Sequence, residues 1–278
     1  MDRMRVLIGL VGLTLVCGLG AGAWLDDQAR DRVADQALHA ASLQGDIVRV
    51  PAGEVAYRPL GNFSRDGKAA TPGVQRLPVD AFDMMKYQVS RRDYMACVAE
   101  GVCADVDTGT GTAALAQTNV NWVDATAYAA WLSDQTGRTW RLPTVLEWHR
   151  AAAERQGDAA PDEGDLDPGE RMLSQYQRGV FLRGSSSSTL RPRGGFGENS
   201  LGVADMGGNV WEWTDGCMEN GEIGADGEIT ARDPYCGVRI AGGRHQAAII
   251  DFVRDASVGG CAAGLPPDHL GFRLVRER

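Results

Sequence analysis

Between His245 and Cys261 five side chains able to do chemistry fall within 17 residues: His245, Asp251, Arg254, Asp255 and Cys261. An imidazole titrates near neutrality and can serve as acid, base or metal ligand. A thiol can be a nucleophile, a copper ligand or a small buried apolar group. One Cys and one His leave a metal site incomplete unless Asp251 or a partner adds a ligand. Arg254 reads equally as the partner of Asp251 or Asp255 in an ion pair at the edge of a core. His245, Asp251, Arg254 and Cys261 are therefore the catalytic candidates.

A second constellation is ADMGGNVWEWTDG, residues 204–216, in which Glu212 stands between Trp211 and Trp213. A carboxylate between two large rings, directly after a backbone made pliable by Gly207 and Gly208, is a ligand set or a structural turn. In the second case Glu212 caps backbone amides. His149, on a helical stripe, reads as a packing or surface residue rather than a ligand.

These residues need elements to position them. Residues 46–53 alternate and read as a first strand. FDMMKYQVS reads as a strand ending at Ser90, which can cap a helix RRDYMACVAE closed by Gly101. VNWVDATAYAAWLSDQTG places Ala125, Tyr128, Ala129 and Leu132 on one helical face, and Gly137 stops it. Thr144 and Glu147 form a capping box for a further helix whose inner face is Val145, Trp148 and Ala152. Residues 56–78 read as irregular, 156–171 as an acidic surface excursion and SSSST (185–189) as a polar loop. The 36 glycines and 11 prolines in 278 residues exceed ordinary usage and point to a loop-rich fold.

The net charge of −9, with no run of Lys or Arg, argues against nucleic acid as a partner. MDRMR followed by the uncharged run 6–25 reads as an export signal with Ala21-Gly22-Ala23 as cleavage site, or as an uncleaved anchor in the inner membrane. Cys17 lies in a run similar to a lipoprotein acylation site, although Val16 is larger than the residue expected there. Each alternative makes the rest of the chain periplasmic or otherwise exported, with membrane contact only through that segment. Residues 26–45, including His39, read as a polar connector, and residues 46–278 as one domain. In an oxidising compartment the simple pairing is Cys97 with Cys103 and Cys217 with Cys236, leaving Cys261 over. The second bridge would close the polar loop MENGEIGADGEITARDPY and contribute roughly 3 kcal/mol.

YQVSRRDY, VNWVDATAYAAWLSDQTGRTWRLPTVLEWHRAAA, GFGENSLGVADMGGNVWEWTD and HLGFRLVR occur in one order. In these blocks the chain resembles the formylglycine-generating enzyme, or sulfatase-modifying factor, family over residues 46–278. The resemblance implies a single loop-rich α+β domain related to C-type lectins. It implies a calcium ion held by the Asp205 side chain, the Gly208 and Val210 carbonyls and Glu212. A second calcium site would map near Ser185, where its aspartate is missing. It also shows what is lost. Active members carry two cysteines after a Gly-Gly pair and bind copper there. Counting from Gly242-Gly243, those positions hold Ala247 and Phe252, so formylglycine generation is not expected.

The stretch 244–273 is similar to a branch without the cysteine pair that is associated with copper nitrite reductase. The resemblance therefore implies an accessory or maturation factor for a periplasmic copper enzyme, with that enzyme or its peptide segment as partner and copper as a possible cofactor. Two alternatives stay open: an oxidoreductase with a rebuilt centre acting on a small molecule or peptide, and a calcium-stabilised lectin-like binding module.

Overall fold

The computed structural model describes residues 47–106, 112–156, 190–250, 266 and 268–278, with the backbone of 252–253 and 262–263. The segments 1–25 and 26–45, the stretch from 157 through SSSST, and Asp251, Arg254, Asp255 and Cys261 lie outside the described residues, as does the side chain of Phe252. The described residues belong to one compact unit, Asp46–Arg278.

Two antiparallel-rich sheets organise it. In the smaller one, β1 (Ile47–Val50) pairs with β6 (Phe82–Met85), β6 with β14 (Val275–Arg276), and β14 with β7 (Trp140–Arg141). The larger runs in the order β10 (Gln246–Ile250), β9 (Ile229–Gly242), β8 (Trp211–Ile223), β3 (Gly61–Arg65) and β4 (Lys68–Ala70). Strand β13 (Leu270–Gly271) adds parallel to the start of β8, Leu270 opposite Trp211. Strands β2 (Gly53–Tyr57) and β5 (Gln75–Val79) form a separate ribbon. The short strands β11 (Phe252–Val253) and β12 (Ala262–Ala263) pair in parallel.

Three α-helices lie among the described residues, each with the cap its sequence supplies. In α1 (Arg91–Ala99) Ser90 Oγ accepts from the Asp93 amide, and Gly101 follows at φ 74°. Asn121 and Asp124 make a reciprocal box on α2 (Trp122–Thr136), which ends at Gly137 in the left-handed region. Thr144 and Glu147 do the same for α3 (Val145–Ala152). These side chains satisfy amides that a helix start leaves without partners. The main core gathers Val50, Met84, Trp148, Ala151, Ile240 and Val275 between α3 and the sheets. A second cluster stacks Tyr94, Tyr128, Trp131 and Phe272.

Three expectations change. The region 56–78 is not irregular: it contains β3, β4 and β5 and the end of β2. Asp66 and Gly67 have φ of 51° and 73°, the left-handed pair that closes a two-residue hairpin between β3 and β4. The strand read up to Ser90 stops at Met85; beyond it the backbone bonds individually, Val89 N–H to the Phe272 carbonyl among others. The polar segment between Cys217 and Cys236 is the outer half of the β8–β9 ladder rather than a loop. Its residues are mostly exposed, so no apolar alternation marks it.

Candidate functional site

The centre of the site is Glu212 on β8, with no solvent exposure. Side chains alternate across a strand, so the flanking tryptophans face away from it. Trp213 Nε1 donates to the Val120 carbonyl at 2.9 Å, and Trp211 meets the His245 ring at 4.9 Å. The two rings therefore do not pack on either side of the carboxylate. Its partners come from elsewhere. Arg273, itself fully buried, donates from Nε to Oε2 at 2.6 Å and from Nη2 to Oε1 at 2.7 Å. Trp148 Nε1 donates to Oε2 at 3.0 Å, and Gln88 Nε2 to Oε1 at 2.8 Å. Arg273 also donates to the carbonyls of Lys86 and Ala204, each at 2.9 Å. One ion pair thus ties the chain's last strands to β8, the residues after β6, and the loop before β8.

That loop is tightly curled. Asp205, Gly207 and Asn209 all have positive φ, at 60°, 67° and 65°. At Gly207 a Cβ would stand 2.8 Å from the Arg155 carbonyl, so glycine is required there by both conformation and space. Asp205 accepts the amides of Gly194 and Phe196 at 2.7 and 2.8 Å, one on each oxygen.

Three of the four groups expected to hold calcium, Asp205, Glu212 and the Gly208 carbonyl, accept protein donors. A carboxylate has about four lone-pair directions, and Glu212 already accepts four hydrogen bonds. The Gly208 carbonyl accepts the Val210 amide at 2.8 Å, and Gln88 Nε2 lies 3.4 Å from it. Gln88 thus places an N–H donor between two of the four expected ligands. Its orientation follows from its neighbours. Asn209 Oδ1 accepts the Arg191 amide and Asn209 Nδ2 donates to the Arg191 carbonyl. Nδ2 is thereby turned to Gln88 Oε1 at 3.0 Å, which leaves Nε2 to face Glu212. At Glu212 and Gly208 a protein donor stands where a cation would need bare oxygens.

The second part of the site lies at the start of β10. Ala247 is buried with 6% exposure and stands opposite Ala241 of β9. Its neighbour Gln246 is 5% exposed, so both faces of the strand are covered here. Gln246 Nε2 donates to the Arg58 carbonyl at 2.6 Å, and its side chain also interacts with His149. His149, the residue read as packing or surface, is 6% exposed. Gln156 Nε2 lies 2.5 Å from its Nδ1, which puts the ring proton on Nε2, towards the Gln246 amide. Burial lowers the His149 pKa to about 4, against a smaller opposing effect of the Gln246 amide nearby. The imidazole is neutral at pH 7. The Tyr57 ring meets it edge-on at 5.7 Å.

Of the four catalytic candidates, only His245 lies among the described residues; it is half-buried beside Trp211. Among the described residues no group of three or more His, Cys, Asp or Glu could hold a metal ion. Both expected disulfides are present, Cys97–Cys103 at 2.01 Å and Cys217–Cys236 at 1.95 Å. Sequence reasoning missed Arg273, Gln88 and Trp148 as the partners of Glu212. Their signals were the GFR near the end, the YQVS block, and a helical tryptophan assigned only to the core.

The sulfatase-modifying factor enzyme 1-like domain matches residues 34–278. Formylglycine-generating enzyme from Mycobacterium tuberculosis is 31% identical over 180 residues, covering 57% of this chain and 56% of that protein. The mouse protein named inactive C-alpha-formylglycine-generating enzyme 2 is 30% identical over 163 residues, 56% of this chain and 47% of its own length. The chain thus spans about half the length of these curated relatives. In fold it is similar to PvdO from Pseudomonas aeruginosa, with TM-score 0.52 and 17% identity over 84% of this chain and 94% of that one. Treponema denticola variable protein 1 gives TM-score 0.50 and 16% identity over 84% and 95%. With its loop-rich α+β architecture and a domain match that runs from residue 34 to residue 278, the chain belongs to the sulfatase-modifying factor, or formylglycine-generating enzyme-like, family.

Proposed function

We propose that the chain is an exported accessory or maturation factor for a copper enzyme such as nitrite reductase, and that it does not generate formylglycine. The observation that carries this reading is the methyl group of Ala247, buried at the head of β10 where the family resemblance puts a redox thiol. A methyl group neither binds a soft metal nor forms a mixed disulfide. All four cysteines among the described residues are tied in disulfides, so none of them substitutes for the lost pair. A relative whose name calls it inactive supports the persistence of this scaffold apart from that activity.

His245 would supply one copper ligand; the other candidates, Asp251 and Cys261, are in the same stretch of sequence.

A strain lacking the gene tests the reading. Its reductase is expected to accumulate with less copper and lower activity, both restored by the full chain. Reductase with full copper and activity in that strain overturns the accessory role. Separately, incubating the purified chain with a cysteine-containing sulfatase peptide, copper and oxygen is expected to leave the cysteine unchanged by mass. Aldehyde formation would refute the second half of the proposal.

A further inference from the structure

The two disulfides stand in opposite settings. Cys97, on the buried face of α1, is 0% and Cys103 6% exposed. Cys236 is exposed on β9 and Cys217 half-buried on β8. Cys217 falls at a break in the ladder, with register shifts on both of its sides. Opposite it is Arg239, whose Nη1 donates to Cys217 Sγ at 3.2 Å. The guanidinium is held there: its carbon lies 3.6 Å from the Trp122 ring centroid, and that indole is pinned by Nε1 donating to the Thr214 carbonyl at 3.0 Å. One cysteine of the bridge is thus exposed while a fixed cation touches the sulfur of the other.

We propose that Cys217–Cys236 is a thiol-exchange site, opened by low-molecular-weight thiols at Cys236 with Cys217 as leaving group. The external thiolate attacks Cys236 Sγ. The bond between Cys236 and Cys217 breaks, and its electron pair departs on Cys217 Sγ as a thiolate facing Arg239. A positive charge beside a sulfur stabilises its thiolate, and a better leaving group leaves faster. A second thiolate then attacks the sulfur of the bound thiol and releases the external disulfide. Cys236 leaves as a thiolate and takes up a proton. In sum two external thiols are oxidised and one protein disulfide is reduced. This inference does not depend on the copper-factor reading.

The test uses the folded full chain with glutathione as probe, after any free thiol has been blocked. Samples are trapped by alkylation over time and mapped by peptide mass spectrometry. Cys217–Cys236 is expected to open at least about tenfold faster than Cys97–Cys103. The glutathione adduct is expected on Cys236 and the first alkylated thiol at Cys217. Arg239→Gln should slow opening several-fold, and Arg239→Lys less. Simultaneous opening of both bridges, adduct formation on Cys217, or an unchanged rate in folded Arg239→Gln overturns the proposal. If Arg239→Gln does not fold, the position of the adduct in the unaltered chain decides.

Discussion

Replacing Arg273 by methionine tests the centre of the site most directly. Glu212 and Arg273 have no exposure at all. Removing the cation leaves a buried carboxylate with only Gln88 and Trp148 as donors. Breaking a buried pair in this way costs about 3–5 kcal/mol, because the remaining charge stays desolvated. The carbonyls of Lys86 and Ala204 also lose a charged donor. These losses share one side chain and do not add, so the expected cost is about 4 kcal/mol. For a domain of this size that is a fall in Tm of roughly 8–16 °C. Arg273→Lys keeps the charge but not the two-pronged geometry and should cost about half as much. Adding Glu212→Gln to Arg273→Met removes the stranded charge and should recover about 2 kcal/mol. Urea unfolding followed by far-UV circular dichroism gives each value, provided the denaturant slope is constant. An Arg273→Met variant within about 1 kcal/mol of the parent would refute the reasoning, as would simple additivity of the two substitutions.

Three further outcomes follow from the same geometry. Because Gln88 donates to Glu212 and approaches the Gly208 carbonyl, chelation with EGTA should leave Tm unchanged within about a degree; a large drop would show that calcium displaces Gln88. Burial holds His149 at about 4, below its ordinary 6.5, so as pH falls the unfolded chain binds that proton first. Its contribution is intact above 6.5 and declines towards 4, about 2 kcal/mol between roughly pH 7.5 and 5, and His149→Gln should flatten this part of the urea-midpoint profile. Gly242→Ala would place a Cβ 2.2 Å from the Trp148 ring. It should cost about 1–3 kcal/mol and alter the near-ultraviolet tryptophan signal; an unperturbed signal would mean the indole has room to move.

Much of the fold was legible because its signals are local. Ser90, Thr144, Glu147 and Gly137 act within one turn, and each helix begins or ends where these residues place it. The Asp66-Gly67 turn was equally local but lacked clear apolar alternation on either side. The β8–β9 arm escaped notice because long-range pairing of polar strands leaves no periodic mark. At the site the sequence displayed Glu212 but not its partners. Gln88, Trp148 and Arg273 are 124, 64 and 61 positions from Glu212. Nothing local says that an amide, an indole and a guanidinium will converge on one carboxylate. The same holds for His149 and Gln246, far apart in sequence and buried close together.

The place of residues 270–276 constrains how this molecule can be made. Strand β13 lies against β8, Arg273 fills the charge at the centre, and β14 is inserted between β6 and β7. A nascent polypeptide that has not yet emerged through Arg276 can form its helices and hairpins but has no way to zip its two sheets together. Final consolidation must wait for residues 270–276, a high-contact-order route that is slow. A fragment truncated before residue 270 should consequently melt without a sharp cooperative transition.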